Sequence, residues 1–149
     1  MTRTLPIDVR HADVADASAW PEAPDAVVAL HACGPAADLV IDHAIRSQAR
    51  HVFVVPCCYG RSIRFASRAR ALVAELGFVG DDLLARRMSA SLVDTERKLR
   101  LEAAGYETEI DEFVGATVTP HNLLFAARYT GEPVRMGRAE ARLAALRGA

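Results

Sequence analysis

The chain has 149 residues, 51% of them hydrophobic and 25% charged, with a formal net charge of −1. It is therefore neither a disordered polar segment nor a polyion pulled as a whole toward nucleic acid or anionic lipid. No apolar run approaches the roughly 20 residues of a membrane helix, the start at Met1 lacks the basic and apolar regions of a signal peptide, and three cysteines, two of them adjacent, make no disulfide framework.

One cytoplasmic α/β domain over residues 1–149 is the expectation, since about 150 residues bury roughly 70% of their unfolded surface. Leu5 to Asp16 suggests a short strand around Ile7 to His11, its start limited by Pro6, with a polar exit through Asp13 and Val14. Ala17 to Pro24 is a loop punctuated by Pro21 and Pro24, with Trp20 packed beneath it. Ala26 to Leu30 and Val52 to Val55 are continuous apolar runs, the pattern of parallel strands covered on both faces. Chemistry begins where each run stops. His31 and Cys33 follow the first, and Cys57, Cys58 and Tyr59 follow the second, all at carboxyl ends, where open α/β sheets bind ligands. Between the runs, Gly34 at the cap and Pro35 at the first helical position open a helix. Its inner face carries Ala37, Val40, Ile41, Ala44 and Ile45, while Asp38, Asp42, Arg46 and Gln48 point away. The connection is long enough for a right-handed crossover.

Ser62 to Leu76 predicts a second helix, with Phe65, Ala69, Leu72, Val73 and Leu76 inward, Arg61, Arg64, Arg68 and Arg70 outward, and Gly77 ending it. Asp81 and Asp82 cap a further helical region through Leu83, Leu84 and Met88 that resumes at Val93 and runs to Gly105. Tyr106 to Val114 alternates like a half-exposed strand, and Asn122 to Tyr129 is its antiparallel partner across a longish loop. Gly131 to Pro133 turns the chain into a short Arg-rich helix, Gly137 to Leu146, within the terminal segment 135–149.

Val28-Ala-Leu-His-Ala-Cys-Gly34, Val54-Val-Pro-Cys-Cys-Tyr59, Asp94-Thr-Glu-Arg-Lys-Leu-Arg-Leu-Glu-Ala-Ala-Gly-Tyr-Glu-Thr-Glu109 and Thr117-Val-Thr-Pro-His-Asn-Leu-Leu124 together resemble an S-adenosylmethionine-dependent methyltransferase-domain family. That family includes the ribosomal RNA adenine dimethylase domain-containing protein and the glutathione S-transferase C-terminal domain-containing protein. The resemblance runs from about Val9 to Arg128. It implies a Rossmann-like methyltransferase sheet of strand order 3-2-1-4-5-7-6, in which the Ile7 strand is third and Ala26 to Leu30 fourth. The first two strands, with the glycine-rich turn and acidic residue that hold the cofactor, have no counterpart after Met1. Neither Gly34-Pro-Ala nor Gly77-Phe-Val-Gly80 has the strand, turn and helix context to replace them. The chain thus looks like the rear two-thirds of such a domain, closed by the antiparallel hairpin.

The resemblance implies S-adenosylmethionine as cofactor, with Asp13 and Val14 at the adenine and Leu30 and His31 where cofactor and substrate meet. As a local reading, Asp13 is equally a turn aspartate capping the bend at Ala15 and Asp16. His31, Cys33, Cys57 and Cys58 admit three readings. A thiolate at the mouth is a candidate nucleophile; an imidazole with thiolates is a soft-metal set, though no finger or knuckle spacing is present; and buried cysteines serve as small hydrophobes. No structural metal is expected. Arg61, Arg64 and Arg68, and Arg135, Arg138, Arg142 and Arg147, recur at helical spacing, to follow phosphates or as solvated faces paired with Glu75 and Glu140. In Thr117 to Asn122, Pro120 and Asn122 shape the bend, or His121 and Asn122 line the substrate side.

Two functions follow. The first is methyl transfer to an acceptor, RNA foremost, with His31 and Tyr59 positioning it and Cys57 and Cys58 beside them. The second is a catalytically silent binding or assembly module that meets a companion chain, or a second copy, through the edge left open by the missing strands.

Overall fold

The computed structural model describes residues 6–78, 82–115, 117–119 and 121–148. Asp81 and Pro120, invoked above for a cap and a bend, lie outside them. After a 3-10 turn at Ala17–Ala19, the elements are β1 (Ala26–Ala32), α1 (Ala36–Arg46), β2 (His51–Pro56), α2 (Ala66–Glu75), α3 (Leu83–Ala103), β3 (Tyr106–Glu112), β4 (Leu123–Tyr129) and α4 (Pro133–Arg147). They form an α/β fold around one mixed four-stranded sheet in the order β1-β2-β4-β3. β1 and β2 are parallel, and β4 runs antiparallel to both β2 and β3.

All the helices lie to one side. Val27 of β1, Val52 and Val54 of β2, Tyr106 of β3 and Phe125 and Ala127 of β4 pack with Ala37, Val40, Ile41 and Ala44 of α1 and Leu101 of α3. The Tyr106 hydroxyl lies within hydrogen-bonding reach of the carbonyls of Ala44 (3.1 Å) and Ala49 (2.8 Å), fixing the far end of α1 to β3. α2 and α4 pack on α3, and a second cluster joins Ile63, Phe65, Ala66 and Ala69 to Val93. Gly105 makes the turn from α3 into β3 at φ 98°, where a Cβ would come 2.9 Å from the Tyr129 ring. Only glycine fits both demands.

Several expectations are corrected. β1 is covered on one face only: Val28 and Leu30, on the other, are 63% and 59% exposed. Ile7 to His11 forms no strand, and Ile7 and Val9 stay exposed, because no strand or layer among the described residues pairs with or buries them. The arm is held further along, where the Trp20 indole donates to the Val14 carbonyl (3.1 Å) and stacks on His43 (4.6 Å between ring centroids). Pro35 is the cap of α1 and Ala36 its first residue. α2 starts at Ala66, and Leu76 lies exposed beyond its end. α3 is one continuous helix capped by Asp82, which accepts from the Ala85 N–H. Across the expected break, Ser91 and Thr95 donate back to the carbonyls of Arg87 and Ser91, so the hydroxyls follow the helix instead of interrupting it. α4 starts at Pro133, four residues before Gly137, because the Glu132 carboxylate caps the N–H groups of Val134 and Arg135 and Pro133 takes the first turn.

The helix faces hold the largest difference. Asp38 does not face solvent but is 3% exposed, and Glu96, Arg97, Arg100 and Asp94 are buried with it. Arg97 Nε and Arg100 Nη1 donate to Asp38 Oδ1 at 3.0 and 3.1 Å, Arg97 Nη1 reaches Asp94 at 3.4 Å, and Arg100 also pairs with Asp42 and Glu96. Arg64 pairs with Asp42 and Arg147 with Glu96 at the margin. α1 and α3 are therefore joined by paired charge where the apolar periodicity alone would place nothing.

Candidate functional site at the carboxyl ends of β1 and β2

The parallel register pairs Ala32 with Pro56, so the residues that follow each strand emerge side by side at one sheet edge. The register slips between Leu30 and Ala32, and the slipped residue is His31, at φ 56°. A left-handed conformation is disfavoured for a residue with a Cβ, and here it holds His31 at the lip of the edge, exposed. Gly34, at φ 54°, then takes the chain into α1; a Cβ there would meet only Ser62 Oγ at 3.8 Å, so dihedral freedom and not space calls for glycine.

Cys33 and Cys57 converge. Their Sγ atoms are 2.6 Å apart, and Cys58 Sγ lies 3.6 Å from each. Cys33 and Cys58 are exposed and Cys57 half-buried, which sets this trio apart from apolar core cysteines. The thiols of Cys57 and Cys58 stabilise a thiolate on Cys33 and hold its pKa below the usual range. The same pairing, with burial, pushes Cys57 up to about 12. Cys33 therefore gives up its proton far more readily than Cys57.

Tyr59 turns the other way. Its hydroxyl donates to Asp94 Oδ2 at 2.6 Å, its ring lies 5.0 Å from that of His121, and the Arg97 guanidinium stands 5.8 Å from its centroid. Burial, then the adjacent Asp94 charge, raises the Tyr59 pKa far beyond the neutral range. Burial is also the main reason Asp94 is raised to about 6, against the stabilising Tyr59 hydroxyl and Arg97. Arg97 reaches the Gly34 carbonyl too (3.4 Å), so one guanidinium ties the turn after β1, the loop after β2 and α1 together.

Of the sequence-derived candidates, the edge brings Cys33, Cys57 and Cys58 into mutual contact, while His31 sits exposed at the register slip and Tyr59 is turned to Asp94. Leu30 points to the sheet face without helices and is exposed. Asp13 and Val14 are elsewhere. Val14 is tied through Trp20 to His43 in the last turn of α1, and α1 runs away from the mouth, so these residues lie toward the opposite edge. Asp13 Oδ1 accepts from the Ala15 N–H (2.8 Å), the turn role. Asn122 is buried and donates to the Val114 carbonyl (2.7 Å), shaping its loop, whereas His121 stays exposed beside Tyr59. Sequence reasoning missed Asp94 and Arg97. Their signal is the spacing of Asp94, Arg97 and Leu101, which puts two charges on the stripe that carries the core leucine.

Residues 3–62 match the family described as a methyltransferase domain. Over 130 residues the chain is 30% identical to the glutathione S-transferase C-terminal domain-containing protein homolog of Drosophila pseudoobscura pseudoobscura, covering 70% of this chain and 22% of that protein. The Drosophila melanogaster homolog is 27% identical over 125 residues, covering 67% of this chain and 21% of that protein. A 33-residue stretch is 61% identical to the glutathione S-transferase C-terminal domain-containing protein of Homo sapiens, covering 22% of this chain and 5% of that protein. The chain thus spans about a fifth of the length of the fly proteins. No solved structure matches it. No helix among the described residues is long and apolar enough to cross a membrane. The mixed sheet and its helices are broadly consistent with a methyltransferase-like domain, with no glycine-rich cofactor-binding turn ahead of β1 among the described residues.

Proposed function

We propose that this chain is a binding and assembly module, the rear portion of a methyltransferase-type sheet that receives a complementary segment along β1 and the face without helices. The observation that carries the reading is the state of β1. Its Val28 and Leu30 stand 63% and 59% exposed and no strand among the described residues pairs with its outer edge, although its sequence is that of a central strand. In the methyltransferase order 3-2-1-4-5-7-6, the observed β1-β2-β4-β3 corresponds to 4-5-7-6, and the place beside β1 belongs to strand 1. The fitting occupant is a parallel strand leading into a glycine-rich turn, supplied by the same longer polypeptide or by a companion chain. Burying Val28 and Leu30 would contribute about 1.5–3 kcal/mol each, beside the backbone bonds along the edge.

Methyl transfer is the second reading, favoured by the match of residues 3–62 and by the exposed polar groups His31, Cys33 and Cys58 at the carboxyl edge. The completed domain would hold S-adenosylmethionine, and this chain would supply Leu30 and His31 at the meeting of cofactor and acceptor, with RNA the leading acceptor class. Such a step needs alignment and exclusion of water more than a base, a demand that suits a Tyr59 ring whose hydroxyl is already committed to Asp94. Asp13 and Val14 would have to leave the Trp20 arm to reach an adenine.

Sedimentation of the purified 149-residue chain, with calorimetric titration of S-adenosylmethionine, separates the two. The module reading expects self-association that weakens in Val28→Lys, and no micromolar cofactor binding. Losing two or three charge-assisted hydrogen bonds of about 1.5–3 kcal/mol each removes several orders of magnitude of affinity. A monodisperse monomer that binds S-adenosylmethionine at micromolar concentration would overturn it.

A further inference from the structure

We infer that Cys33, Cys57 and Cys58 form a three-thiolate site for a thiophilic divalent cation, zinc foremost, with its fourth coordination position open to solvent. This goes beyond the assembly reading and does not depend on it. Each residue offers one sulfur, and the three sulfurs lie within 4.8 Å of one another. Thiolates held at about 2.3 Å from a tetrahedral ion stand about 3.8 Å from each other. Cys58 is already 3.6 Å from both partners, so only the Cys33 and Cys57 pair, at 2.6 Å, must open, by roughly 1 Å.

The backbone permits that movement. Cys57 and Cys58 lie in the irregular stretch after β2, and Cys33 in the turn before α1. The site is exposed on one side, which gives an ion entry and leaves room for a water or a further ligand. A disulfide between Cys33 and Cys57 would account for two of the sulfurs and give the third nothing to do, whereas a cation accounts for all three. Sequence spacing concealed the set because its members come from two strand ends that the parallel register brings together, and not from one knuckle. Cys33 also stands three residues ahead of α1, where the helix dipole favours a thiolate. On loading, three S–H bonds lose their protons to solvent and three S–metal bonds form; no electron is transferred, and the site passes from neutral to a net charge of −1.

The test uses the full chain, reduced, metal-free and kept from oxygen. Zn2+ is titrated in competition with a chromophoric chelator, Co2+ is added separately to read thiolate-to-metal charge transfer, and alkylation with mass spectrometry counts protected cysteines. The site predicts one equivalent of zinc, cobalt charge-transfer absorption, and protection of all three thiols. Cys33→Ser, Cys57→Ser and Cys58→Ser should each weaken zinc on the order of a hundredfold or more, while circular dichroism of the exposed-site variants Cys33→Ser and Cys58→Ser stays unchanged. Zinc affinity that survives Cys58→Ser, no binding at all, or a Cys33 to Cys57 disulfide that forms in the presence of zinc would each overturn the proposal.

Discussion

The two faces of this sheet are built from the same strands and have opposite fates. On one, Val27, Val52, Val54, Phe125 and Tyr106 are closed over by α1 and α3. On the other, Val28 and Leu30 stand in the open, and a shallow depression is lined by His51, Phe53, Ala126, Arg128, Glu107 and Glu109. The register makes these faces strictly alternate: Val28 pairs with Phe53 and Phe53 with Ala126 on the bare side, Ala29 with Val54 and Val54 with Phe125 on the covered side. The difference teaches where the stability of this chain resides and where its capacity for partners resides.

The largest effects belong to the covered side. Phe125→Ala should cost about 3–5 kcal/mol in denaturant unfolding, because its ring is fully buried and its neighbours can collapse only in part. Phe53→Ala, on the adjacent strand opposite Ala126 but on the bare side, should cost no more than about 1 kcal/mol. Equal losses would mean that something covers the bare face in the isolated chain. Arg97→Ala should cost up to about 3–5 kcal/mol as well, since it leaves buried Asp38 with Arg100 alone and buried Asp94 with the Tyr59 hydroxyl and no arginine. Replacing Asp38 and Arg97 together by Leu and Met should recover only part of that loss, because Asp94 still lacks Arg97 and Arg100 then lacks Asp38; a full recovery would mean that lost volume and not unpaired charge does the damage.

This charge layer marks the limit of what periodicity can disclose. The strands at Val52 to Val55 and at Tyr106 to Glu112 were legible because their neighbours demand alternation or continuous burial, and the carboxyl edge followed from where those runs stop. Helical periodicity places Asp38 toward solvent beside the polar Asp42, yet its partners Arg97 and Arg100 are about sixty residues on, and no local pattern announces a pair made across helices. The same applies to the thiol trio, whose third dimension is the pairing of Ala32 with Pro56. The absence of an Ile7 strand has another cause. A strand is a property of its neighbour as much as of its own residues, and apolar alternation without a neighbour is merely an extended arm.

A pH dependence sharpens the comparison at intermediate size. Asp94 is raised to about 6 in the folded chain, chiefly by burial, against about 3.9 unfolded. Between those values the folded state holds the proton more tightly, so stability falls as pH rises. Asp94 therefore opposes folding above pH 6, and this opposition is relieved as pH falls from 6 to 4. Two units correspond to about 3 kcal/mol, an upper figure for a group that keeps two partners. A carboxyl NMR titration of Asp94 should show the midpoint near 6, and unfolding curves of Asp94→Asn should lack the corresponding part of the slope. Tyr59→Phe removes a donor to the carboxylate and should raise the midpoint further; a lowered midpoint would mean that the Tyr59 hydroxyl does not donate to it.

The smallest expected change in stability is on the bare face, and it is the most informative about function. Val28→Ser and Leu30→Ser alter side chains that are more than half exposed, so the folded and unfolded states lose similar contacts with water and unfolding should shift by no more than about 0.5 kcal/mol. Self-association should respond far more. In an assembly both residues pass from water into an interface, and each serine withdraws about 1.5–3 kcal/mol of burial, on the order of ten- to a hundredfold in the dissociation constant. Sedimentation equilibrium at several loading concentrations measures this directly, with Leu84→Ser, an exposed leucine on α3, as the control that should leave association unchanged. If Leu84→Ser weakens association as much as Leu30→Ser does, the contact surface is on the helices and not along β1. If neither β1 variant alters association while unfolding shifts by several kcal/mol, Val28 and Leu30 already have a cover within this chain, and the place beside β1 is not vacant for a partner.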